Sequence, residues 1–153
     1  MSDAQQRAER VRDHMWANDR ASQALGMRIT AIAPGRATLQ MPVRADMLNG
    51  LDICHGGLVT TLADSTFAFA CNAYDEMTVA SGFSVDLVAP ARLGDVLTAD
   101  AVEVSKAGRT GVYDITVTNQ RGERVAVFRG RSYTMKGRPV VPVAESSAAL
   151  PSA

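Results

Sequence analysis

The chain has 153 residues, 46% of them hydrophobic, which suits one domain with a real core and leaves little room for a second. Sixteen Lys and Arg balance sixteen Asp and Glu at a pI near 6.7, so no global charge points to nucleic acid or to an anionic membrane. The charged N-terminal stretch SDAQQRAERVRDHMWANDR is the opposite of a signal peptide's apolar core, and no segment reaches the roughly 20 apolar residues of a membrane span, so a cytoplasmic protein is expected.

From Asp3 to Asn18 the residues Ala8, Val11 and Met15 form an apolar edge at helical spacing, and residues 1–20 read as a helix packed on something larger. Between Leu25 and Val43, apolar and polar residues alternate around Pro34-Gly35, a hairpin signal. A loop with Asn49-Gly50 precedes a helix from near Gly56 to Asn72, apolar almost all round and so expected to be buried on most sides. Four β-branched runs follow, punctuated by Gly94-Asp95, Ala107-Gly108 and Arg121-Gly122. Short loops between them imply antiparallel pairing. The segment 137–153, rich in Pro, Ser and Ala, reads as a disordered tail. The order predicts an α+β fold over residues 21–136, an antiparallel β-sheet wrapped around a long central α-helix.

A helix starting at Gly56 leaves its first amides without intrahelical partners, at the positive end of the dipole, where they suit an oxyanion. Gly56-Gly57 also suits an ordinary tight loop before a helix. Asp64 is the lone carboxylate of that helix. It either escapes to water or caps a loop, or it is kept because the acid is used. Eight residues separate Gly56 from Asp64, about 12 Å along the axis, too far for both to serve one carbon within a chain. A two-fold dimer with antiparallel helices would set Asp64 of one subunit beside Gly56 of the other, at two composite sites per dimer.

The run Asn49-Gly50, Cys54-His55-Gly56-Gly57 and Leu62-Ala63-Asp64, followed by FAFACN, resembles the acyl-CoA thioesterases of the hotdog fold, most closely the phenylacetate-degradation members. The likeness continues through GVYDITVTNQ and VAVFRG and covers roughly Ala24 to Tyr133. It implies a sheet around a long helix, a homodimer with the site between protomers, and a tetramer as a dimer of dimers. It also implies hydrolysis of phenylacetyl-CoA or a ring-hydroxylated relative. By position, Asp64 would attack the thioester or activate water, Gly56 would donate its amide to the thioester oxygen, and Asn49 would help position either. His55 and Gly57 would shape the substrate loop, with Ser65 and Ser84 as weaker polar neighbours. No metal or cofactor is expected, coenzyme A being part of the substrate, because a thioester is already activated toward a carboxylate or its water.

Cys54-His55 invites a thiol-nucleophile reading, but neighbours in extended chain point opposite ways and no third orienting group accompanies them. Cys71 reads as a small core residue. Arg92, Lys106, Arg109, Arg129 and Arg131 are, as a group, candidates for the phosphates of coenzyme A. Two other readings of the same chain are a hotdog enoyl-CoA hydratase or dehydratase, and a noncatalytic acyl-CoA-binding module.

Overall fold

The computed structural model describes residues 1–144 and opens on α1, Asp3–Asn18, whose start is fixed by Ser2 accepting the Gln5 amide at 3.2 Å. Ala8 and Val11 are buried and Met15 and Trp16 pack on the core, so the expected apolar edge is the face that docks. Asp19 ends this helix and caps the next, α2 at Arg20–Ala24, through the Ser22 amide and hydroxyl. At five residues, α2 is too short for an apolar period to reveal it.

The hairpin is present as β1, Arg28–Ala33, and β2, Arg36–Pro42. Gly35 at its turn has φ +70°, and a Cβ there would come within 2.9 Å of the Glu103 carboxylate and the Tyr74 hydroxyl; both backbone and space require glycine. A 3-10 turn, Ala45–Met47, then leads to α3, Gly56–Asn72. The four later strands are β3 (Thr78–Leu87), β4 (Val96–Ala107), β5 (Thr110–Thr118) and β6 (Arg124–Thr134).

All six strands form one antiparallel sheet in the order β1-β2-β4-β5-β6-β3. Alternation decides the faces: Leu97, Ala99 and Ala101 of β4, Tyr113, Ile115 and Val117 of β5 and Ala126 and Phe128 of β6 turn inward. Against them α3 presents Val59, Leu62, Ala63, Phe67 and Ala70, all buried. Each large side chain so enclosed contributes about 1.5–3 kcal/mol. Phe67 is seated because β6 carries glycine opposite it: a Cβ at Gly130 would lie 2.8 Å from the ring.

The helix is less enclosed than its composition suggests. Gly57 is exposed and Thr61, Asp64 and Ala68 are half-buried, and their spacing of i, i+4, i+7 and i+11 makes one open stripe away from the sheet. Edge strand β3 is also uncovered, with Val79, Phe83 and Leu87 all exposed. The segment after β6 stays attached: Met77 donates its amide to the Arg138 carbonyl at 2.7 Å, and Asp75 accepts the Val140 and Val141 amides. That part of the expected tail is therefore tied to the domain, while residues 145–153 lie outside the described residues. Among the described residues no helix is long and apolar enough to cross a membrane.

Candidate active site

The approach to α3 is a closed loop. Asn49 and Ile53 are joined through the Asn49 amide and Ile53 carbonyl at 2.8 Å, Leu48 bridges Cys54, and His55 donates its amide to Met47 at 2.8 Å. The Asn49 side-chain oxygen accepts the Leu51 amide at 2.9 Å and the Ile53 amide at 3.4 Å. With its oxygen engaged by the loop, Asn49 has only its NH2 left to present to a ligand.

His55 is the N-cap of α3 and makes no side-chain cap bond. The first amides to find an intramolecular acceptor are those of Leu58 and Val59, both on the His55 carbonyl. The Gly56 and Gly57 amides thus have no acceptor among the described residues. Two uncapped donors at a positive helix end are the arrangement that holds a developing oxyanion.

Gly56 opens onto a cleft of about 470 Å³, lined also by Asn49, Ile53, Val59, Leu87, Val88 and Val125. That volume is within the range of small-molecule sites. Leu87 crosses over Gly56 so closely that any Cβ there would run into its Cδ1, which explains glycine at this position without reference to chemistry. Leu87 ends β3, Val88 follows it and Val125 belongs to β6; they are distant in sequence from α3, and no local pattern assigns them to the site. Cys54 also lines the cleft, but it is 4% exposed and burial pushes its thiol up. A protonated, desolvated thiol is a poor nucleophile.

Asp64 stands apart from this cleft, two turns further along an unbroken α3. Burial holds its carboxyl above the usual carboxylate range, and among the described residues no cation or hydrogen-bond donor counters it. Burial pushes the Cys71 thiol up to about 12, and the Asp64 charge adds to that shift. The carboxylate is thus half-desolvated and unneutralised within one protomer.

The other expected residues fall in different places. Ser65 turns to α2, its hydroxyl 2.9 Å from that of Ser22, so it anchors the N-terminal helices. Ser84 pairs with Arg129 on the outer face of the sheet, since its neighbour Val85 pairs with buried Phe128. There it shares a shallow groove with Asp86, Asp114 and Arg129, with the sheet between it and Asp64 of its own chain. His55 and Gly57 border a second small hollow with Asp46, Leu48 and Leu58.

Of the five basic residues, Arg129 is held bidentately by Asp114 at 2.7 and 2.8 Å, and Lys106 lies 3.7 Å over the Tyr74 ring and 4.0 Å from Glu76. Arg109 reaches the Thr134 carbonyl, and Arg131 lies across Gly82. Arg92 is exposed and follows Ala91, which lines the cleft.

Residues 51–126 match the Thioesterase superfamily family. The acyl-coenzyme A thioesterase PaaI of Escherichia coli K12 is 44% identical over 123 residues, 80% of this chain and 88% of that protein. A putative esterase of Archaeoglobus fulgidus is 34% identical over 128 residues, 84% of this chain and 83% of its own. The solved structure of the E. coli PaaI protein from the phenylacetic acid degradation operon superimposes with a TM-score of 0.85 at 41% identity, covering 87% of this chain and 96% of that one. One sheet, one spanning helix and relatives matched over nearly their whole lengths lead to the same place: the chain belongs to the thioesterase superfamily and has its hotdog fold.

Proposed function

We propose that this protein hydrolyses acyl-CoA thioesters to the free acid and coenzyme A, with phenylacetyl-CoA or a ring-hydroxylated phenylacetyl-CoA as substrate, at two sites shared across a homodimer. The observation that carries this is the division of labour on α3: two uncapped amides at Gly56 and Gly57, and an unneutralised carboxylate at Asp64 two turns away. The name of the E. coli relative supports acyl-CoA thioesters as the class, and the phenylacetic acid degradation operon it comes from supports the aryl-acetyl group.

In the proposed mechanism the Gly56 amide of one protomer holds the thioester oxygen as it gains charge. Asp64 of the other either attacks the carbonyl carbon, expelling the CoA thiolate and leaving an anhydride for water to open, or takes the proton of a water that attacks directly. Both routes need Asp64 ionised, and the facing positive helix end favours that form. The Asn49 NH2 and His55 help seat the thioester, and Arg92 meets a CoA phosphate at the mouth. No metal or cofactor enters these steps. Ser65 and Ser84 are not assigned a contact with substrate.

The dimer reading is supported by the free edge of β3, ten residues long with Val79, Phe83 and Leu87 exposed, since an open apolar edge strand is a template for another chain. Pairing of two β3 edges about a two-fold axis sets the α3 helices antiparallel, and a tetramer would pair two such dimers. The free thiols of Cys54 and Cys71 suit a reducing cytoplasm. A thiol-release assay across acyl-CoA thioesters tests the reading. Hydrolysis of phenylacetyl-CoA faster than of palmitoyl-CoA is expected; water addition to an enoyl-CoA, or tight binding without turnover, would overturn it.

A further inference from the structure

We infer that Phe83 is the residue on which the acyl group rests, and that it sets the preference of the site for an aromatic acyl chain. This rests on the thioesterase reading above.

The placement follows from contacts at the two ends of one helix flank. Gly56 at the start of α3 lies under Leu87 of β3, and Phe67 lies against Gly130, the register partner of Phe83. The flank from Gly56 to Phe67 therefore runs beside the inner side of β3 from Leu87 back to Phe83. Asp64 is three residues before Phe67, on a neighbouring position of the helix surface and about 4.5 Å nearer its start. Asp64 therefore sits on the helix position beside the Phe83 end of that strip, as Gly56 sits under its Leu87 end.

Phe83 also differs from the other inward aromatic rings. Phe67, Tyr113 and Phe128 are 1%, 1% and 3% exposed, whereas Phe83 is 42% exposed. One of its faces stacks on Phe128 at 4.7 Å between centroids and 26° between planes, and the other is left open within the protomer, on the strand edge where the proposed shared site forms. Phe128 lies 6.0 Å from Phe67, which lies 5.5 Å from Tyr113, so Phe83 is the open end of a ladder of rings rooted in the core. The ring is thus held from behind at a fixed height, as a platform for another ring must be.

The Gly56 cleft offers the complementary chemistry. Its walls are aliphatic, Ile53, Val59, Leu87, Val88 and Val125, with Asn49 as a polar group, which suits an amide-bearing aliphatic chain such as pantetheine. In the shared-site arrangement the partner's Gly56 stands over the Phe83 end of this protomer's strip. The thioester carbon is then between Gly56 and Asp64, pantetheine follows the aliphatic cleft, and the acyl group has the Phe83 face beneath it.

The test compares hydrolysis-resistant thioether analogues, S-phenethyl-CoA and S-hexyl-CoA, by calorimetry on wild type, Phe83→Leu and Phe83→Tyr, alongside kcat/KM for phenylacetyl-CoA and hexanoyl-CoA. Loss of one aromatic pair is expected to lower the phenethyl-to-hexyl affinity ratio about fivefold in Phe83→Leu, with the same fall in the kcat/KM ratio. Phe83→Tyr, which keeps the ring, should keep both ratios. Phe83→Met replaces the leucine variant if that one does not fold. An unchanged ratio in a folded Leu or Met variant overturns the assignment, as does absence of analogue binding to wild type. If the ratio falls as expected while wild type releases no thiol from any acyl-CoA, the hydrolase reading fails and the Phe83 platform stands.

Discussion

Two inactive variants should restore activity in each other. Gly56 and Asp64 lie eight residues apart on continuous α3, about 12 Å at 1.5 Å per residue, whereas groups acting on one thioester must fall within about 3 Å of it. Gly56→Pro removes the donor while leaving the start of the helix in place. Gly56 is the first residue of the helix, His55 before it has φ −57° and ψ 129°, and the Gly56 amide has no acceptor to lose. Proline is tolerated at this position and its predecessor is already in the conformation proline demands. The ring will displace Leu87, which is 52% exposed and has room to move. Gly56→Pro and Asp64→Asn homodimers should each lose about a hundredfold or more in kcat. Refolded together from denaturant in equal amounts, half of the dimers pair one chain of each kind, and each of these has one site with both lesions and one with neither. Thiol release should recover to about a quarter of wild type by this symmetry. Verified heterodimers no more active than the separate variants would refute the shared site, and an oxyanion donor would then have to be sought within the chain that carries Asp64.

Burial holds the Asp64 carboxyl above the ordinary carboxylate range and activity needs the ionised form, so kcat/KM should fall with decreasing pH through an apparent pKa above that of an exposed aspartate. The sign for stability is the opposite. A raised folded-state pKa means the folded protein gains stability as pH falls through it toward the unfolded value, and above it carries an uncompensated charge. Asp64→Asn should therefore melt no lower than wild type at neutral pH by thermal denaturation; a clear drop in Tm would show the facing helix end outweighing burial at the carboxylate. Cys54→Ala should keep activity within a few-fold, and the wild-type thiol should react slowly with thiol reagents, because Cys54 is buried and its pKa is raised; a folded but inactive Cys54→Ala overturns this. Gly130→Ala puts a methyl group 2.8 Å from the Phe67 ring and should destabilise by about 1–3 kcal/mol in urea unfolding, with an unchanged midpoint counting against the packing described.

What was legible in the sequence is what local pattern encodes. The 3.6-residue period of Ala8, Val11 and Met15, the alternation along β5 and the glycines at 35, 94, 108 and 122, all with positive φ, reflect backbone constraints that act within a few residues of chain. The separation of Gly56 from Asp64 follows from helix rise alone, and with it the expectation that one chain does not bring both to a single carbon. Which residues gather round the cleft is decided by register between strands far apart in sequence. The bulge between Ala80 and Gly82 shifts the alternation of β3, so that Phe83 and Leu87 face the helix while Ser84 turns to the outer side. Hydrogen-bond competition decides the rest: Ser65 is taken by Ser22, and the Asn49 oxygen by its own loop. A sequence names the donors and acceptors a chain carries, but only tertiary packing determines which are satisfied internally and which remain for a substrate.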